Sequence, residues 1–87
     1  MDEKLHKIFN KINLDETYFN LFYNAKINRT STDDLNNTVT VEIANDSDIP
    51  YDLYDELIEK FSKYFDGAKI NLSIKNDKQI SNNFQKN

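Results

Sequence analysis

The chain has 87 residues, enough for one domain, with a formal net charge of −4 and no cysteine. Folding at this length buries roughly 60% of the surface that the unfolded chain exposes, so the core has little margin. This composition argues against a disulfide framework or a thiolate metal site, against strong autonomous gripping of duplex DNA, which rests on neutralising phosphates, and against a membrane span, because no apolar run approaches the roughly 20 residues one requires.

The start, Met1-Asp2-Glu3-Lys4, has mixed charge and no apolar run, so no signal peptide is expected. Leu5, Ile8, Phe9 and Ile12 then recur at three- and four-residue spacing. That stripe predicts a helix over 3–11 with Asp2 as its N-cap. Asn13-Leu14-Asp15-Glu16 reads as a stop and restart. Asn13 with Glu16 resembles a capping box, and Asp15 competes as the N-cap. A second short helix is predicted over 15–22. Tyr18, Phe19, Leu21, Phe22 and Tyr23 cannot all face one way, so it is expected to be wedged between two surfaces.

Residues 25–32 read as a first strand, with Ala25 and Ile27 inward and Lys26, Asn28 and Thr30 outward. Asp33-Asp34-Leu35-Asn36-Asn37 carries turn chemistry. Thr38–Ala44 is the clearest strand, because Val39, Val41 and Ile43 alternate with Thr38, Thr40 and Glu42. A short polar connection between two strands predicts an antiparallel hairpin. After the polar loop 45–48, a long helix is predicted over 50–65. Leu53, Tyr54, Leu57, Ile58, Phe61, Tyr64 and Phe65 form its apolar stripe, and Lys60 and Lys63 near its end suit the helix dipole. Gly67, the only glycine, is expected at the left-handed C′ position. A third strand follows over 68–75, with Ile70, Leu72 and Ile74 toward the core and Lys69, Asn71, Ser73 and Lys75 outward.

The predicted fold is α+β in the order α-α-β-β-α-β. A three-stranded sheet carries helices on one face and leaves the other polar. The strand–helix–strand unit suggests a right-handed crossover within a mixed sheet. Residues 1–75 would form the domain, and the polar, aperiodic stretch 76–87 a disordered tail or a linker to a next domain.

No catalytic set is evident. His6, the only histidine, reads as a structural surface residue. Asp33-Asp34 and Asp46 with Asp48 lack the oxygen pattern of a calcium loop. There is no Gly-rich phosphate loop. The fragment is therefore expected to be non-catalytic, with no cofactor, no small-molecule ligand and no metal ligands of its own. Two surfaces are candidates for binding. The polar sheet face, from which Lys26, Thr30, Thr40, Lys69 and Lys75 could project, is mildly basic and would suit weak contacts to nucleic acid, with Lys26, Arg29, Lys69 and Lys75 as the candidate residues, although no aromatic residue is expected there for base stacking. The five tyrosines supply the second surface, with Tyr51 and Tyr54 on the long helix as candidate protein-interface residues.

Three blocks carry a family resemblance: Ile12-Asn13-Leu14-Asp15-Glu16-Thr17-Tyr18-Phe19, then Ile49-Pro50-Tyr51-Asp52-Leu53-Tyr54-Asp55, then Phe65 followed by Ala68-Lys69. In order and spacing they resemble the first N-terminal domain of the PolC-type DNA polymerase III α subunits, over about residues 8–75. The resemblance implies a long cytoplasmic replicative polymerase with an embedded 3′–5′ exonuclease. Its catalytic carboxylates and magnesium ions would lie outside these residues. The topology also resembles a shortened type II KH fold with one helix fewer. KH domains clamp single strands through a GXXG loop, and this chain has none. A similar truncated fold in the polymerase-binding domain of the clamp-loader τ subunit implies protein binding. The resemblance thus implies an accessory domain that tethers the polymerase to a replisome protein such as the clamp loader or sliding clamp. The alternative is weak binding of single-stranded or primer–template DNA, and a third reading is a stand-alone adaptor domain.

Overall fold

The computed structural model describes residues 1–76. Its elements are helix α1 (Glu3–Lys11), a 3₁₀ helix (Glu16–Phe22), strands β1 (Lys26–Asp33) and β2 (Thr38–Ala44), helix α2 (Tyr51–Tyr64) and strand β3 (Lys69–Lys75). The architecture is α+β in the order predicted. Of the expected tail over 76–87, Asn76 is described and 77–87 lie outside the described residues. Among the described residues no helix is long and apolar enough to cross a membrane.

Asp2 starts α1 and ties it to the sheet. One carboxylate oxygen accepts from the Lys4 N–H at 2.7 Å and the other from the Ile27 N–H at 3.2 Å, while the Asp2 N–H donates to the Ala25 carbonyl at 2.9 Å. These bonds, that from Lys4 foremost, hold the Asp2 carboxyl below the usual carboxylate range. They also occupy the outer edge of β1 at its start, where an open strand would otherwise invite pairing.

α1 ends in a Schellman arrangement. Asn13 takes a left-handed φ of 59°, its N–H donates to Asn10, and the Leu14 N–H donates to Phe9. Asn13 is thereby committed to closing one helix, so Asp15 caps the next, accepting from the Thr17 N–H at 2.9 Å. That next segment is a 3₁₀ helix rather than the expected α-helix. Three residues per turn sort its side chains into rows. Phe19 and Phe22 both meet the Phe9 ring, at centroid distances of 5.8 and 5.0 Å, and Tyr18 and Leu21 are half-buried. Thr17, Asn20 and Tyr23 form the exposed row, while Tyr18, Phe19, Leu21 and Phe22 pack against the core.

The sheet order is β1-β2-β3, with β1 antiparallel and β3 parallel to β2. α2 supplies the crossover that a parallel pair requires. It begins one residue after Pro50, whose extended backbone leaves it at the N-cap without a side-chain bond. Its end differs from expectation. Asp66, at φ 59°, takes the C′ position, and Gly67, at φ 84°, follows as C″ and donates to Ser62 at 2.7 Å. Asparagine and aspartate tolerate the left-handed region better than most residues, which lets the glycine serve the second positive φ.

The core sits between the sheet and the helices. Leu5 and Phe9 of α1, Phe22, Val39, Val41 and Ile43 of β2, Leu53, Leu57 and Phe61 of α2, and Leu72 of β3 form one buried cluster. Among the described residues no helix packs on the opposite sheet face.

Candidate functional site

The ladder register assigns each strand residue to a face. On the open face the cross-strand rows are Lys26–Ala44–Lys75, Arg29–Glu42–Ser73, Ser31–Thr40–Asn71 and Asp33–Thr38–Lys69. A bulge at Asn28 breaks the alternation of β1 between Ile27 and Arg29. Its effect is to turn over everything that follows. Arg29 joins Lys26 on the open face, whereas Thr30, expected there, pairs with Val41 on the helix side.

The four candidate basic residues therefore do not form one cluster. Lys26, Arg29 and Lys75 share one end of the face. Lys69 lies six residues away along β3, about 20 Å distant at strand rise. Two carboxylates share the face with them. Glu42 stands in the middle strand, with the Lys75 ammonium 4.0 Å from it. Asp33, beside Thr38, accepts from the Asn36 side-chain amide at 2.7 Å, and that bond holds its carboxyl below the usual range. Lys26 and Arg29 enter no ion pair among the described residues. Among the described residues no strand position on the open face is aromatic.

The two candidate tyrosines differ from each other. Tyr51, in the first turn of α2, is 85% exposed. Tyr54 is half-buried, and its hydroxyl donates to the Leu72 carbonyl of β3, so it anchors α2 to the sheet. Both line a concavity of about 360 Å³ together with Asp48, Ile49 and Ile74. Ile49 and Ile74 were not singled out from the sequence. Ile74 reads there as a core residue, and in the structure it is only half-buried, because β3 is an edge strand and its end lies beside the loop that opens α2. The loop is fixed by Asn45, 3% exposed, whose amide donates to the carbonyls of Leu21 at 2.9 Å and Ser47 at 2.8 Å. Asn76 donates to the Asp46 carbonyl at 3.0 Å and closes the groove on its far side.

The depression thus joins two isoleucines and two tyrosines to one carboxylate, Asp48, and the polar Ser47 and Asn76. Among the described residues no group of three histidine, aspartate or glutamate side chains is placed to hold a metal ion.

The family model described as DNA polymerase III polC-type N-terminus I matches residues 4–76. No curated protein and no solved structure matches the chain significantly.

Proposed function

Because the chain belongs to the family of the PolC-type DNA polymerase III N-terminus I, we propose that it is a non-catalytic accessory domain that tethers the replicative polymerase to another replisome protein. The observation that carries this reading is Tyr51. A tyrosine 85% exposed beside Ile49 and Ile74 contributes nothing to the core, and large aromatics of this kind dominate protein interfaces. Clamp-loader and sliding-clamp proteins are the partners proposed. Magnesium and the polymerase and exonuclease activities belong to the parent enzyme, which would act in the cytoplasm. The test is a titration of the ¹⁵N-labelled chain with each partner protein. Binding that moves the Ile49, Tyr51 and Ile74 amides and weakens on Tyr51→Ala supports the reading. Binding indifferent to that substitution contradicts it.

A second reading draws on the bulge. By bringing Arg29 onto the face of Lys26 and Lys75, it gathers three cations at one end of an open sheet, a footprint suited to a few phosphates of a single strand. It predicts weak binding that fades as salt rises, with a slope near 0.7 per phosphate engaged. Glu42 and Asp33 on the same face, and the overall charge of −4, favour the protein-tethering reading over this one.

A further inference from the structure

α2 has a second concavity at its other end, about 20 Å from Tyr51 along the helix axis. It measures about 330 Å³ and is lined by Lys11, Ile12, Asn13, Lys60, Lys63 and Tyr64. Three lysines from two helices line it, and among the described residues no carboxylate does, in a chain whose acids outnumber its bases 15 to 11.

Helix dipoles account for a lysine near the end of each helix. They do not account for the convergence of three lysines on a depression with an apolar floor. The terminal carbonyls of both helices are already engaged, Phe9 by the Leu14 N–H and Ser62 by the Gly67 N–H. Lys63 lies 3.6 Å from Glu59, but both side chains are largely exposed, and such a pair holds its partners weakly. Lys11 and Lys60 enter no ion pair among the described residues. The floor is Ile12, 6% exposed, and the half-open ring of Tyr64, which Phe65 holds edge-on at 4.9 Å.

We propose that this concavity binds a short acidic peptide segment of a partner protein. Its carboxylates would meet Lys11, Lys60 and Lys63, and one apolar side chain would rest on Ile12 and Tyr64. The shape favours a peptide over a nucleic acid strand. The site is a compact depression, not a basic stripe that could follow a backbone. With a screening length of about 8 Å, a few carboxylates at close range feel mainly the three lysines, whereas a long polyanion also runs close past the acidic residues along the rest of its path. This site is separate from the Tyr51 groove and has its own test.

The ¹⁵N-labelled 87-residue chain is titrated with a capped peptide of aspartates around one leucine, with the same peptide carrying asparagines instead, and with oligothymidylate. The expected result is salt-sensitive shifts centred on Lys11, Ile12, Asn13, Lys60, Lys63 and Tyr64 with the acidic peptide alone. Lys11→Glu combined with Lys60→Glu should weaken it about tenfold or more, with cross-peak dispersion unchanged. Lys11→Gln should weaken it in a smaller step if the double variant unfolds, and Tyr51→Ala should leave it unchanged. Equal binding of the asparagine peptide, absence of shifts at these residues, or tighter binding of oligothymidylate to the same residues would overturn the proposal.

Discussion

Tyr51 and Tyr54 are three positions apart on one helix and do different things. Tyr54→Phe removes a hydroxyl bonded to the Leu72 carbonyl and is expected to cost about 1 kcal/mol in urea denaturation. Tyr51→Ala removes a side chain open to solvent and should change stability by less than about 0.5 kcal/mol. A clean interface probe is therefore Tyr51, not Tyr54. Gly67 is a second residue with a separable role. A Cβ there would meet nothing within 4 Å, so the only penalty of Gly67→Ala is its φ of 84°. The expected loss is about 1–2 kcal/mol with the fold unchanged; no loss would mean that the turn after α2 relaxes. Asp2, Asp15 and Asp33 each have a carboxyl lowered by local hydrogen bonds, those from Lys4, Thr17 and Asn36 first. A folded-state pKa below the unfolded value contributes stability that is fully present above about pH 4 and lost as pH falls through the lowered range. Thermal stability from these groups should be flat from neutral pH to about pH 4 and fall below it. Asp2→Asn should flatten part of that acid limb.

At the scale of elements, the bulge at Asn28 decides which side chains share a face. Deleting Asn28 removes the extra residue and leaves Ile27 opposite Ile43 and Arg29 opposite Glu42. The variant should fold with the same Arg29–Glu42 cross-strand contacts in nuclear Overhauser spectra; a shift of every later pair by one residue would refute the assignment of the bulge. A bulge of this kind was not legible in the sequence. Lys26-Ile27-Asn28-Arg29-Thr30 alternates without interruption on paper, and polar residues on both sides of β1 beyond it give no apolar pattern to mark the slip. β2 was legible throughout, because Val39, Val41 and Ile43 are buried on one side only. The helix ends were legible in kind but not in position. Asp66 and Asn13 take left-handed conformations that the sequence suggests less strongly than glycine does. The 3₁₀ form of Glu16–Phe22 was not legible, because Phe19 and Phe22, which both pack on Phe9, share a face in an α-helix as well as in a 3₁₀ helix.

For the whole molecule, one small core carries both candidate protein-binding surfaces and the open sheet. Phe9 is fully buried and in ring contact with Phe19 and Phe22, so Phe9→Ala should cost about 3–5 kcal/mol. Domains have only about 5–15 kcal/mol in total, so a populated unfolded fraction is expected in the cooperative denaturation curve. The family was legible from block order and spacing, and the exposed Tyr51 from its place in the helix pattern. The groove around Tyr51 was not, because Ile49, Tyr51 and Ile74 meet only once β3 returns beside β2. The most direct test of a tethering role is the titration of the labelled chain with a clamp-loader protein and then with the sliding clamp, with Tyr51→Ala run in parallel. The expected result is saturable shifts at Ile49, Tyr51 and Ile74 with one of them, lost in the variant. Shifts absent from that groove with both proteins, and appearing instead at Lys26, Arg29 and Lys75 with single-stranded DNA at low salt, would contradict it.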